Sequence, residues 1–189
     1  MSIERRELLL KELKESKGPN KGADLAEQFS VSRQVIVKDI ALLRAKGEEI
    51  IATSRGYIMP QESGLKKRVI ACKHKPTDVR DELEIIINNG GRVKDVIIEH
   101  SIYGDIRGNL MLESNLDIDK FLEKYQTNAF KLLSSLTNGT HLHTIEALNN
   151  SVLDMIENKL AKNNFLLQEW ITKWTISYKQ IIASVKFLK

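Results

Sequence analysis

A polar break at residues 60–64 divides this chain into two parts whose apolar residues follow different spacings. Before the break, apolar residues recur every three or four positions, which is typical of amphipathic helices. After it, short predicted strands alternate with helical stretches, which is typical of a sheet packed against helices. We therefore expect an α+β protein with one domain at residues 1–60 and another at 65–168, joined by the segment 61–64.

The first part contains three predicted helices. Leucines share one stripe over residues 4–16, and a shorter pattern of the same kind follows at 23–29. The third helix spans residues 33–46, begins after the good N-cap residue Ser32 and ends at Gly47. Two short helices around a tight turn predict a helix-turn-helix, whose second helix enters the major groove of DNA.

The segment 50–59 then predicts two strands around a turn with Arg55 at its tip, which is the pattern of a wing. Arg33 and Gln34 on the early outer face of the third helix are our candidates for contacts with base edges. Lys38 and Arg55 are the candidates for phosphate contacts. The alternative is a three-helix domain that contacts proteins through a solvated outer helix.

The second part predicts the element order β-α-β-β-α-β-α-β. Its first six elements match a split βαβ arrangement, in which helices cover one face of a sheet. Thr77 is the predicted cap of the first helix of this part. The other predicted elements are strands at 68–74, 93–100, 109–113, around 141–143 and at 165–167, and helices at 117–125 and after Ser151.

Two of the four histidines, His141 and His143, lie two positions apart in a predicted strand, so both side chains point to one face. His74 ends another strand, and Glu82 is expected in the second turn of the helix that follows it. Imidazole nitrogens with a carboxylate suit zinc, nickel, iron or cobalt better than calcium or magnesium. Alternatively, His141 and His143 lie on a solvated strand face or form hydrogen bonds within the sheet. Cys72 shares the strand face of His74 and is either a further ligand or, as is more common, simply buried.

The charge and composition of the chain say less about its function than the motifs do. The net charge is +4, but residues 169–189 hold four lysines and one acidic residue, so the total gives no argument for DNA binding. The same segment predicts an amphipathic helix that packs on its own domain or on a partner, with a membrane-surface helix as the alternative. A single cysteine and the lack of a long apolar run predict a cytoplasmic protein without a membrane span.

Two stretches resemble known bacterial families. Residues 26–36 resemble the winged helix of bacterial regulators, including the biotin-repressor type. Residues 99–104 together with 136–145 resemble the three-histidine (3H) domain of bacterial nicotinic-acid-responsive repressors, a likeness that covers residues 65–168. The resemblance implies a winged helix followed by a metal-binding effector domain. It also implies a homodimer on operator DNA that represses genes of NAD synthesis or niacin uptake when nicotinic acid is present.

The resemblance also implies roles for individual residues. By position, four residues match the metal ligands of the family: His74, Glu82, His141 and His143. His100 and Tyr103 belong to the family's other shared motif and are the candidates for effector binding, although Ser101 stands where relatives often have proline.

Two alternatives stay open: a repressor that senses the metal alone, and a metal-dependent hydrolase. A hydrolase needs a general base besides its ligands, and Glu82 cannot easily be both. We therefore expect a regulator and not an enzyme.

Overall fold

The structure is a computed structural model that describes residues 2–16, 18–60, 64–127 and 132–167. The predicted helix at 169–189 and residues 61–63 of the predicted linker lie outside the described residues. The chain divides into two compact units. The first consists of the residues up to Gly64 together with the short segment Gly108–Met111 of a later strand, and the second consists of the remaining residues. Within the described ranges, every helix is too short or too polar to cross a membrane.

The first unit contains three helices and a two-stranded hairpin. These are α1 (Ser2–Glu15), α2 (Gly22–Gln28), α3 (Arg33–Ala45), β1 (Ile51–Thr53) and β2 (Gly56–Ile58). The hydroxyl of Ser32 accepts a hydrogen bond from the N–H of Val35 at 3.4 Å, as expected of an N-cap. The antiparallel strands pair Ile51 with Ile58 and leave Arg55 in the turn. The predicted helix-turn-helix with a wing is confirmed.

The three helices share one apolar core. Its fully buried members come from the predicted stripes and are Leu9, Leu13, Leu25, Ile36 and Ile40. The hairpin is fixed to the loop before α2, because Asn20 and Tyr57 exchange two backbone hydrogen bonds of 2.8 Å. Gly56 has φ +142° and any Cβ there would collide with the Asn20 carbonyl, so only glycine fits this close approach.

An ion pair holds α1 against the buried side of α3. Asp39 is 2% exposed, and its carboxylate accepts hydrogen bonds from Arg5 at 2.7 Å and Arg6 at 3.4 Å. A buried carboxylate needs such partners, because it has lost its water. This pair fixes the position of the helix that carries the candidate DNA contacts.

Replacing Asp39 with alanine is expected to lower the free energy of unfolding by roughly 1.5–3 kcal/mol, since charged hydrogen bonds are lost and two partly buried arginines lose their partner. Urea unfolding followed by circular dichroism measures the change. Glu7→Ala is the matched control, because Glu7 is an exposed acid on α1. Equal unfolding midpoints for Asp39→Ala and Glu7→Ala would contradict this assignment.

The second unit is a four-stranded sheet with helices. Its elements are β3 (Lys66–Lys73), α4 (Val79–Asn88), β4 (Gly91–His100), β5 (Gly104–Leu112), α5 (Asn115–Thr127), β6 (Thr140–Ala147) and α6 (Asn150–Lys162). The strand order is β3-β6-β4-β5, and β6 runs antiparallel to both β3 and β4. β3 and β4 are therefore parallel, with β6 between them, which confirms the predicted split βαβ arrangement.

Several element boundaries differ from the sequence prediction. β3 spans Lys66–Lys73, so His74 follows the strand and does not end it. Residues Pro76–Asp78 form a short 3₁₀ helix, so α4 begins at Val79 and Thr77 does not cap it. Proline fixes φ and suits this tight turn. Glu82 consequently lies in the first turn of α4, not in the second. β5 begins at Gly104 instead of Asn109, and the predicted strand at 165–167 is a single bridge between Leu166 and Cys72.

One face of the sheet packs on helices α4 and α6. Any Cβ on Gly91 would clash with Ile86 of α4 and Ile156 of α6, which shows how closely these helices approach β4. On β6, alternate residues face this side, and the register places His141 opposite Cys72 and His143 opposite Ile70. The predicted metal ligands therefore face the interior between the sheet and α4.

Candidate metal centre

Three elements bring the four predicted metal ligands together. His141 and His143 are alternate residues of β6, His74 directly follows β3, and Glu82 descends from the first turn of α4. Since β3 and β6 are neighbours, their helix-facing side chains lie side by side beneath α4. After β3, the short 3₁₀ helix turns the chain back, so that α4 lies over the end of the strand. This turn brings His74 and Glu82 together, although they are eight positions apart in sequence.

The carboxylate of Glu82 is the centre of this cluster. His74 Nε2 lies 2.7 Å from Glu82 Oε2, His143 Nε2 lies 3.4 Å from the same oxygen, and His141 Nε2 lies 3.4 Å from Oε1. Each of the four side chains is at most 4% exposed. The rings of His141 and His143 meet edge to face at 4.7 Å. We name these four residues the Glu82 cluster.

The other ring nitrogen of each histidine is held by a backbone carbonyl. Nδ1 of His74 lies 2.8 Å from the Lys75 oxygen, and Nδ1 of His141 lies 2.9 Å from the Gly139 oxygen. His143 Nδ1 lies 2.7 Å from the Asp95 oxygen. A carbonyl only accepts hydrogen bonds, so each Nδ1 carries a proton and donates it. In a neutral imidazole, Nε2 then presents a lone pair towards Glu82.

When the three histidines are neutral, their Nε2 lone pairs and the Glu82 oxygens are all acceptors that converge on one point. Oε1 of Glu82 is buried and makes no hydrogen bond within the described part of the chain. A buried polar atom without a partner is costly, and a cation between these atoms removes the cost. Ligand atoms at right angles around an ion are roughly 3 Å apart for bonds of about 2.1 Å, close to the spacings here. The donor set and its geometry fit a divalent transition metal.

The pKa shifts in the cluster agree with a preference for positive charge. Burial by itself raises the pKa of Glu82, yet the three histidines outweigh it and hold that pKa well below its ordinary value. Burial lowers the pKa of His74 and His143, but the Glu82 carboxylate outweighs it and raises both. The site thus keeps Glu82 ionised and favours a cation beside it.

A β-bulge in β4 orients His143. The pairing of β4 with β6 shifts register between Val93 and Asp95, which turns the Asp95 carbonyl towards the His143 ring. The Asp95 carboxylate is fully buried, accepts the N–H of Thr144 at 3.1 Å and is paired with Arg107. Neither Asp95 nor Arg107 was predicted, because Asp95 is only one of several charged residues in β4 and nothing local sets it apart.

A tight turn before β6 positions two of the histidines. Gly139 has φ +86°, its carbonyl accepts from His141 Nδ1, and any Cβ on it would collide with the His74 carbonyl. Its N–H donates to Ser134 at 2.8 Å. Only glycine fits here, because both the backbone angle and the space exclude a side chain.

Gly139→Ala is expected to lower stability by about 1–3 kcal/mol or more and to separate His74 from His141, since the added methyl group displaces the His74 backbone. Thermal unfolding and metal affinity are the measurements. Gly104→Ala is the matched control, because Gly104 also has positive φ, +66°, but open space around its Cβ position. If both variants lost stability equally and kept metal affinity, the turn would not position the histidines.

Cys72 lies closer to the cluster than the sequence suggested. It is fully buried, stands opposite His141, and its Sγ, a carboxylate oxygen of Glu82 and a ring nitrogen of His141 all lie within 4.8 Å of one another. Burial raises the pKa of the Cys72 thiol, and the charge of Glu82 raises it further.

The predicted effector residues are His100, the last residue of β4, and Tyr103, which lies in the turn between β4 and β5. Their rings stack at 5.0 Å, and the N–H of Ile102 donates to His100 Nδ1 at 3.2 Å. Tyr103 is 75% exposed. These described contacts are local to the turn and do not involve Glu82.

A cleft of about 700 Å³ opens beside His74. Lys73, Lys75, Asn138 and Phe165 are among its lining residues, so it combines two cations, an amide and an aromatic ring. This cleft was not predicted, because its walls come from three segments that are distant in sequence. Its volume is ample for a small aromatic acid.

The predicted DNA contacts on α3 are exposed. Gln34 and Lys38 share the face opposite the buried Ile36 and Ile40, and Arg33 is exposed at the first position of the helix. Arg33 and Gln34 occupy the first turn, which enters the major groove first in this motif. Arg55 is half-buried in the turn between β1 and β2.

Comparison with known proteins gives matches to both units. A profile of the HTH domain matches residues 5–58, and a profile of the 3H domain matches residues 67–169. The second match includes the whole Glu82 cluster, Cys72, His100 and Tyr103.

Two curated proteins are similar along nearly their whole length. The probable transcription repressor NiaR of Thermotoga maritima is 43% identical over 166 residues, which are 88% of this chain and 95% of that protein. The transcription repressor NadR of Bacillus subtilis is 40% identical over 173 residues, 89% of this chain and 96% of that protein. An uncharacterized protein of Methanothermus fervidus is 31% identical over 130 residues, 64% of this chain but 20% of that protein.

Proposed function

The chain belongs to the family of transcription repressors that join an HTH domain to a 3H domain, and from this premise we propose a metal-containing, nicotinic-acid-responsive repressor. The relatives that it matches nearly end to end are named transcription repressors, so the chain is a regulator and not an enzyme. The observation that carries the metal part of the proposal is the convergence of three Nε2 atoms on one buried carboxylate.

The first unit supports the DNA-binding half of the proposal. Arg33 and Gln34 present long polar side chains at the start of the exposed face of α3, where they reach guanine and adenine edges. Lys38 and Arg55 add phosphate contacts from the helix and the wing. We propose a homodimer on double-stranded operator DNA, because two such helices read half-sites about 34–36 Å apart.

The Glu82 cluster supports the metal half. His74, Glu82, His141 and His143 would hold one divalent transition ion, zinc, nickel or a similar metal. When bound, the ion supplies positive charge and an open position for a nitrogen or oxygen ligand. The protein keeps the histidines oriented through the carbonyls of Lys75, Gly139 and Asp95, as outer-shell partners do in other metal sites.

Nicotinic acid is the effector that we propose, with His100 and Tyr103 as its binding residues. A flat pyridine ring can stack on this aromatic pair, in which Tyr103 is exposed, and His100 ends β4 on the strand face that Val96 shares with His143. The cleft beside His74 is the second candidate location, since Lys73 and Lys75 offer charge to a carboxylate.

Nicotinic acid is expected to raise the unfolding temperature of the metal-loaded protein, because a ligand of the folded state stabilises it. Nicotinamide, which lacks the carboxylate, is the control and should have little effect. Tyr103→Ala should abolish the shift if the ring stacks on the turn, whereas a double variant of Lys73 and Lys75 to alanine should abolish it if the cleft holds the acid. No shift with the wild-type protein, with or without metal, would remove nicotinic acid from the proposal.

The effector acts only if it binds the DNA-competent form more tightly than the other form. Equal affinity for both forms would leave DNA occupancy unchanged, however tight the binding. We propose that nicotinic acid favours operator binding and thereby represses genes of NAD biosynthesis or niacin uptake in the cytoplasm.

A second candidate function is a repressor that responds to the metal alone. It is favoured by the burial of the Glu82 cluster, whose side chains are at most 4% exposed and so leave an effector little access to the ion. Titrating metal into the stripped protein with labelled DNA, without any organic acid, separates the two functions.

A further inference from the structure

We propose that Cys72 is a fifth protein ligand of the metal centre and makes it a mixed thiolate, carboxylate and imidazole site. The inference rests on the proposed metal function and adds to it a ligand outside the four residues matched by resemblance. Four observations support it: the distances, a buried oxygen of Glu82, the charge balance and the backbone pairing of Cys72.

The distances fit a shared ion. The ligand atoms of Cys72, Glu82 and His141 all lie within 4.8 Å of one another. Two ligands on opposite sides of one ion are roughly 4.4 Å apart, for a sulfur bond of about 2.3 Å and a nitrogen bond of about 2.1 Å. The three atoms therefore lie close enough together for one ion to be their common neighbour.

A second observation points to a ligand at the same place. Glu82 Oε1 is buried and has no geometrically complete hydrogen bond in the described residues, and His141 Nε2, 3.4 Å from it, belongs to the residue opposite Cys72. A carboxylate oxygen of Glu82, a ring nitrogen of His141 and the thiol therefore lie close together. The thiol offers the carboxylate only a weak S–H donor, whereas a cation there would neutralise it.

Charge balance favours the thiolate. A divalent ion with Glu82 and three neutral histidines leaves a net charge of +1 in a buried site, and buried net charge is costly. Binding through Cys72 breaks its S–H bond, releases the proton to solvent and forms a sulfur–metal bond, so the net charge becomes zero. Thiolate is a soft ligand, and the site should then prefer cobalt, nickel or zinc to manganese or magnesium.

The backbone holds Cys72 in place from both sides. On one side it pairs with His141 of β6, and on the other it forms a bridge with Leu166. Flanking hydrogen bonds join Lys73 to Phe165 at 2.9 Å and Leu167 to Ala71 at 3.0 Å. The thiol is thus fixed beside the cluster before any ion binds, which lowers the cost of ligation.

Cobalt(II) titration of the chelator-stripped, full-length protein tests the inference. Thiolate ligation gives an intense charge-transfer band in the near ultraviolet, whereas nitrogen and oxygen ligands give only weak visible bands. We expect one equivalent of cobalt to produce this band in the wild-type protein. Cys72→Ala and Cys72→Ser should lose the band and bind cobalt at least about tenfold more weakly, the lower range for changes around a metal site.

Ile70→Val is the matched control for packing. Ile70 is fully buried on the same face of β3, two residues from Cys72 and opposite His143, but it has no ligand atom. This variant should keep both the band and the affinity. A thermal melt of each stripped variant verifies that it is folded.

The outcomes separate this inference from the proposed function. If the wild-type protein bound one cobalt ion without a charge-transfer band, Cys72 would be a packed thiol, and the four-ligand centre would stand. If it bound no cobalt, both the metal centre and the inference would fall, whereas DNA binding by the stripped protein would still test the repressor assignment by itself.

Discussion

Glu82→Gln should weaken metal binding by about 100-fold or more and, in the metal-free protein, leave stability unchanged or raise it. The first effect follows from the loss of the only carboxylate among the four ligands, since changes even beyond the ligands cost 10–100-fold in other sites. The second follows because a glutamine amide donates hydrogen bonds to the Nε2 lone pairs, whereas the carboxylate faces them as a further acceptor.

Competition with a coloured chelator measures the metal affinity. Thermal melts of the metal-loaded and the stripped protein measure the stability, at about pH 8, which is above the ordinary histidine pKa. At a metal concentration about 100 times the wild-type dissociation constant, the wild-type protein gains about 2.7 kcal/mol, most of which the variant should lose. Glu84→Gln is the matched control, since Glu84 lies on the same helix, partly exposed and paired with Arg80. A stripped Glu82→Gln protein much less stable than the stripped wild type would show that protonated histidines, not a metal, balance Glu82.

Arg33→Ala is expected to weaken binding to the preferred operator by about 5- to 150-fold, which corresponds to the roughly 1–3 kcal/mol of a bidentate arginine–guanine contact. Sequence preference should relax at one base pair of each half-site, because the contact reads a base edge. Gln34→Ala should do the same at a neighbouring pair. Fluorescence anisotropy on duplexes selected by the wild-type protein from random DNA measures the affinity and the preference together.

Lys38→Ala and Arg55→Ala should behave differently, because phosphates carry no sequence information. Each should weaken binding to all duplexes similarly and lower the slope of log affinity against log salt by about 1. Lys11→Ala is the control, since Lys11 is exposed on α1 and pairs with Glu15. A uniform loss of affinity for Arg33→Ala, with its base preference retained, would remove it from the base-reading residues.

The first unit could be predicted almost completely from its sequence. Its helices carry the apolar stripe, the capping Ser32 and the closing Gly47, and each signal is local to the element that it defines. Asp39 was the exception. A charged residue on a helix gives no sign that its partners, Arg5 and Arg6, lie on another helix.

The second unit was predicted in outline, and its errors have identifiable causes. The spacing of His141 and His143 placed both on one face, since the period of a strand is two. The predicted burial of Cys72 is confirmed, but its place opposite His141 could not be foreseen, because it depends on the register of β3 against β6. The bulge at Asp95 and the cleft beside His74 are formed by segments that are distant in sequence, so no local sequence pattern predicts either feature. Pro76 is a local signal for the 3₁₀ helix. Because of that helix, α4 begins only at Val79, and Glu82 lies in its first turn.

The most direct test of the account is the affinity for a selected operator duplex, measured with metal-loaded and stripped protein, each with and without nicotinic acid. The account predicts that nicotinic acid tightens binding only when the Glu82 cluster holds its metal, and that nicotinamide does not replace it. A coupling free energy of about 1–3 kcal/mol, or 5- to 150-fold in affinity, is the usual size for such an effect. Equal operator affinity in all four conditions would contradict the claim that this protein is a metal-dependent, acid-responsive repressor.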